Sequence, residues 1–248
     1  MPAMTGKGKL SVTARAFGIL DLLRDSISIT LSGVVAATEL PPATAHRYLA
    51  ELVELGALER LSNGGYRLGF RMWELGAATD WSRRVRTAVA PYIEALSMET
   101  GHAMVLSKFD NGRLVCIERR WGREPRIYIV HSGQEVPLLD TSAGWVVLAS
   151  QSPEAVHTYM DGAAVPSRED GLLTKLDKVR RNGFAVARGE PIPSQLSLSV
   201  PVSNGAQGTD YVLTLLAAPG SNQLDRYLPK LTGFARDIEL RIRQTDRA

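Results

Sequence analysis

The 248-residue sequence has one cysteine, Cys116, which excludes an intramolecular disulfide and a thiolate zinc cluster and reads as a buried strand residue. No apolar run reaches the roughly 18 to 20 residues needed to cross a bilayer. The opening MPAMTGKGK lacks the apolar core of a secretory signal, so a cytoplasmic protein with no membrane partner is expected. Catalytic signatures are also missing. His102, His131 and His157 are far apart with no metal-ligand spacing, and there is no Gly-x-Ser-x-Gly elbow or phosphate-binding glycine loop. These absences predict no enzyme, no metal and no cofactor. Net charge is only +3, but residues 1 to 86 hold 11 Lys/Arg against 8 Asp/Glu, whereas residues 87 to 248 hold 18 of each. The whole excess lies in the first third, which suggests that this part meets a polyanion.

A hydrophobic content of 44% and the chain length suit two soluble domains. Residues 1–10 read as a flexible tail and 11–70 as a first domain, with 71–90 a linker helix and 91–248 a second domain. In the first domain, Ala16, Ile19, Leu20, Leu22 and Leu23 recur at helical spacing over about 12–25, and Thr30 can cap LSGVVAATE. Pro41 and Pro42 start a third helix whose stripe is Ala45, Tyr48, Leu49, Leu52, Val53 and Leu55. Two short strands, Leu58 to Leu61 and Tyr66 to Phe70, flank a turn of Asn63, Gly64 and Gly65. Trp73, Ala77, Trp81, Val85 and Val89 then fall every fourth residue, which predicts one long helix with an apolar stripe available to a second subunit.

Beyond Pro91, a helix leads into strand-like MVLSKF, RLVCIERRW and RIYIVHS. Three helices follow (SAGWVVLAS, PEAVHTYM and DGLLTKLDKVRRNG), then strands FAVAR, LSLSVPV and YVLTLLAA, and a last helix over Leu224–Gln244. The order implies an α+β fold with a mostly antiparallel sheet. Arginine-rich ERRWGREPR reads as a solvated strand-edge loop rather than a second nucleic-acid patch.

Three helices and a hairpin are the order of a winged helix-turn-helix, whose third helix enters the DNA major groove while the wing follows the backbone. Pro42, Ala43, Thr44, His46 and Arg47 occupy the first two turns of helix 3, away from its apolar stripe, and suit base edges and phosphates. Arg60 and Arg67 flank the wing, and Arg15 on helix 1 is a further DNA-binding candidate.

TAHRYLAELVELG and YRLG, with SGQEVPLLDTSAGWVVLA, VRRNGFAVARGE and SVPV in the second half, resemble the motifs of the IclR family of transcriptional regulators over nearly the full length. Two positions depart from the pattern: Glu39 stands at a usual turn glycine and Trp145 at a usual lysine. The resemblance implies a GAF-like C-terminal domain that binds a small organic acid, and matching pocket positions are Tyr128, Val136, Ser142, Ala143, Ala187, Gln195, Ser197, Leu215 and Ala217. Residue chemistry is compatible. In QLSLSVPV, Leu196, Leu198, Val200 and Val202 alternate with Ser197, Ser199 and Pro201. The helix starting at Ser142 directs backbone N–H groups toward an anion. Apolar Ala187, Leu215 and Ala217 suggest room for an aromatic or longer-chain carboxylate. The expected protein is a repressor that binds a pseudo-palindromic operator as a dimer or a dimer of dimers; the alternative is an enzyme acting on a small acid, with a vestigial DNA-binding module.

Overall fold

The computed structural model describes residues 11–24, 26–123, 130–162, 169–193, 195–202, 209–218 and 224–246. It divides into two compact units, Met1–Arg83 and Arg84–Ala248.

In the first unit, Ser11 caps α1 (Val12–Asp21) by accepting the Ala14 N–H, and Thr30 caps α2 (Leu31–Thr38) by accepting the Gly33 N–H. The first helix is shorter than its apolar spacing predicts, because Leu23 is buried from a turn beyond the helix end. α2 ends at Glu39, a left-handed residue at φ 56°, where a glycine would be free of Cβ strain. α3 (Pro42–Glu54) begins on a proline whose missing N–H is no loss there. Its Ala45, Tyr48, Leu49 and Leu52 are buried with Ile19, Val34, Leu58 and Tyr66. Strands β1 (Leu58–Arg60) and β2 (Tyr66–Leu68) pair antiparallel, and Tyr66 exchanges two backbone hydrogen bonds with Ile29, which ties the hairpin to the entrance of α2. At Gly69 a Cβ would lie 2.2 Å from the Gly56 carbonyl oxygen, so only glycine permits this crossing.

The long helix predicted over 71–90 is two helices, α4 (Phe70–Ala78) and α5 (Asp80–Thr100), separated by extended Thr79. The cause is local: Gly76 is a weak helix former, and the Thr79 hydroxyl donates to the Gly76 carbonyl at 2.6 Å, competing with the backbone ladder. Pro91, by contrast, does not end α5. An interior proline costs about 3 kcal/mol, but Val85, Val89, Ile93 and Leu96 around it are fully buried in the second unit's core and hold the helix.

The second unit is built on a six-stranded, wholly antiparallel sheet in the order β5-β4-β3-β8-β7-β6. Its strands are β3 (Ala103–Asp110), β4 (Arg113–Arg120), β5 (Glu135–Val136), β6 (Ala185–Arg188), β7 (Leu196–Val202) and β8 (Tyr211–Ala217). One sheet face packs under α6 (Ser142–Ala149), α7 (Pro153–Gly162) and α8 (Glu169–Asn182); the other packs on α5 and α9 (Leu228–Asp246). The interior strands β7 and β8 are therefore buried on both faces. Most of the predicted strand RIYIVHS lies outside the described residues.

Candidate functional site

The first candidate is the outer face of α3. His46 and Arg47 are exposed, as are Pro42 and Ala43, and Thr44 is half-buried, while Ala45 and Tyr48 turn inward. The Arg47 guanidinium carbon sits 6.0 Å from the Tyr48 ring centroid. Arg60 is exposed at the end of β1, and Arg15 is half-buried on α1. Arg67 meets Glu59 across the hairpin at 2.7 Å; its hydrogen bond and charge hold the Glu59 carboxyl below the usual carboxylate range. That pair offsets part of the wing's positive charge.

The second candidate is a cavity of about 540 Å³ in the second unit, between the sheet, the start of α6 and the segment leading into β7. Its walls are mainly apolar, from Val105, Val130, Val136, Pro137, Ala143, Ile192 and Leu216. Polar chemistry is concentrated in hydroxyls. Ser142 Oγ donates to Ser197 Oγ at 2.7 Å and lies 2.7 Å from Ser199 Oγ, which lies 2.9 Å from Thr214 Oγ1. A hydroxyl has one proton, so with Ser142 donating to Ser197 the chain runs Thr214 to Ser199 to Ser142 to Ser197. The Ser197 proton is left over for the cavity, and each bond upstream polarises it further.

The start of α6 adds donors. Thr141 Oγ1 accepts the Gly144 N–H at 3.0 Å and itself donates to the Pro137 carbonyl at 2.6 Å. The first-turn amides of Ser142 and Ala143 have no acceptor within the helix. Gly144 permits this arrangement, since a Cβ there would sit 2.1 Å from the Leu138 carbonyl oxygen. Two further polar atoms on the wall, Ser107 Oγ and Gln195 Oε1, are buried without a protein hydrogen-bond partner. The ionic lining residues among those described are Glu135 and Glu190, paired with Arg113 at 2.9 Å and Lys175 at 2.8 Å. Lys175 also stands 4.2 Å from the centroid of the Trp145 ring, whose Nε1 donates to the Leu139 carbonyl at 2.8 Å.

Of the expected pocket residues, Val136, Ser142, Ala143, Gln195 and Ser197 come together in this wall. Leu215 and Ala217 do not: they pair with Leu198 and Leu196 and are buried with α9 on the opposite face. Their neighbours Thr214 and Leu216 take the cavity side. Ala187 lies opposite Ser197 but is buried in the core beneath α6 and α8, not in the lining. Tyr128 lies outside the described residues. Residue patterns missed Val105, Ser107, Thr214 and Leu216, and the one readable signal was the lone threonine of the apolar strand β8. Among the described residues no group of His, Cys, Asp and Glu could hold a metal, and no helix is long and apolar enough to cross a membrane.

Comparison with known proteins matches both halves. The model for the IclR helix-turn-helix domain covers residues 12–62, and that for the bacterial transcriptional regulator IclR C-terminal covers residues 79–240. The HTH-type transcriptional regulator KipR of Bacillus subtilis is 24% identical over 243 residues, 95% of this chain and 97% of KipR. TtgV of Pseudomonas putida, another HTH-type transcriptional regulator, is 26% identical over 77% of this chain and 76% of TtgV. An IclR homologue of Microbacterium hydrocarbonoxydans, crystallised in complex with 4-hydroxybenzoate, superimposes with a TM-score of 0.80 at 24% identity, covering 94% of this chain and all of that one. With family models matched in order along both units, the chain belongs to the IclR family of bacterial transcriptional regulators.

Proposed function

We propose that this regulator is a repressor that occupies a pseudo-palindromic operator as a dimer or a dimer of dimers and changes its hold on DNA when an organic acid fills the cavity of the second unit. α3 lies in the major groove with Thr44, His46 and Arg47 toward base edges and Pro42 and Ala43 at the helix entry. Arg60, Arg67 and Arg15 meet phosphates. The observation that carries the sensory reading is the donor-rich end of a mainly apolar cavity, where the Ser197 hydroxyl and the amides of Ser142 and Ala143 offer donors to an oxyanion. The 4-hydroxybenzoate held by the Microbacterium homologue supports an aromatic acid as the ligand. Exposed Phe70 and Trp73, stacked at 5.1 Å between centroids, support a second copy of the chain as the partner of α4.

Selection from fragments of the host genome tests the DNA reading. The wild type enriches a two-fold symmetric sequence whose half-sites lie about one helical turn apart, or a multiple of that. Arg47→Ala loses about 1–3 kcal/mol of affinity for it at fixed salt. Recovery of unrelated fragments, or equal binding by Arg47→Ala, contradicts the placement of α3.

A further inference from the structure

The donors at the start of α6 account for one end of a ligand. At the other end of the cavity wall stands Ser107, fully buried on β3, its Oγ without a protein partner. Its cross-strand neighbours Val212 and Cys116 offer no strong hydrogen-bonding group, and burial pushes the Cys116 thiol up to about 12, so neither neighbour carries a charge. A β-bulge at this point places the extra residue Ile117 of β4 beside Ser107 and sets the local direction of the strand. A buried hydroxyl left unpaired is costly, so one kept in a cavity wall is suited to a polar group that arrives with the ligand.

Position along the sheet sets the ligand's length. Ser197 is opposite Leu216 on β8, whereas Ser107 is opposite Val212 of the same strand, on its far side. With strands about 4.8 Å apart and a rise of about 3.4 Å per residue, the two backbones are roughly 17 Å apart. Val105 and Leu216 line the wall between them with apolar surface.

We infer that Ser107 is a second anchoring residue of the cavity, and that the effector is a carboxylic acid with a neutral hydroxyl at the far end of an extended apolar body. The inference rests on reading the cavity as the effector site. The carboxylate takes the Ser197 hydroxyl and the amides of Ser142 and Ala143. The remote hydroxyl exchanges a hydrogen bond with Ser107 Oγ, and no charge is called for there.

Calorimetric titration of the full-length protein with two matched pairs tests this: cinnamate against 4-hydroxycinnamate, and octanoate against 8-hydroxyoctanoate. The hydroxylated member of a pair binds wild type about tenfold more tightly, the value of one added hydrogen bond. Ser107→Ala brings the two members within about twofold while leaving the unsubstituted acid unchanged, and Ser197→Ala weakens both members equally. Ser107→Cys, of similar size, behaves as Ser107→Ala. The melting temperature of ligand-free Ser107→Ala is unchanged or raised; a clear fall reveals a structural bond and overturns the assignment. Equal affinity within every pair that binds, or a hydroxyl preference that survives in Ser107→Ala, also overturns it. Failure of all four acids to bind wild type removes the acid-site reading itself, and the anchor with it.

Discussion

Cys116 shows how burial governs a single side chain. It is fully enclosed, and desolvation, the largest influence on it, pushes its thiol from the ordinary 9.0 up to about 12. The folded protein therefore keeps the thiol proton in a range where the unfolded chain has released it. Between pH 9 and 12 the native state binds more protons, so stability falls as pH rises. Cys116→Val removes this contribution, and its urea midpoint declines less steeply between pH 8.5 and 10.5 than that of the wild type. Parallel slopes in the two proteins would place the thiol in a more polar setting than the structure shows. The same burial makes Cys116 inert toward iodoacetamide in the native protein at pH 8 and reactive in denaturant.

Among the elements, α6 is fixed by the close approach at Gly144, whose added Cβ would meet the Leu138 carbonyl oxygen at 2.1 Å. Gly144→Ala must move the helix start off residues 137–139, and the overpacking costs about 1–3 kcal/mol. Loss of acid binding should accompany the lower stability; an unshifted melting temperature with normal binding contradicts the contact. α3 was legible from its proline start and three-and-four spacing, because only one of its faces is buried. So was the alternation of serine and aliphatic residues on β7, which separates its cavity side from its α9 side. β8 was not, since YVLTLLA is buried on both faces and its apolar residues carry no period that tells one face from the other. Register with β7 decides instead, placing Thr214 and Leu216 in the cavity wall and Leu215 and Ala217 against α9. The every-fourth-residue stripe from Trp73 to Val89 misled for a related reason: spacing is blind to the break at Thr79. Trp73 and Ala77 are exposed, Val85 and Val89 are buried within the chain, and the Trp81 side chain lies outside the described residues.

For the whole molecule, the correction to that stripe moves the proposed dimer contact onto α4. Phe70 and Trp73 are 62% and 65% exposed, an arrangement that a second copy would relieve by covering both rings. Trp73→Ser should shift sedimentation velocity toward monomer and weaken operator binding together, because two half-sites need two linked readers. A dimer that persists in Trp73→Ser removes α4 from the interface. The family relationship accounts for a helix-turn-helix unit and a regulator C-terminal unit in one chain, and the central claim is that the proposed DNA reading and ligand sensing are coupled. A ligand shifts DNA affinity only if it binds one state of the protein better than the other. The most direct measurement is fluorescence-anisotropy titration of the selected operator with wild type and Ser197→Ala, each without and with 4-hydroxycinnamate. The account predicts that the acid changes wild-type operator affinity by at least about fivefold, and that Ser197→Ala has normal affinity without acid and needs more acid for the same change. Wild-type curves that superimpose with and without the acid, or equal responses in the two proteins, would contradict it.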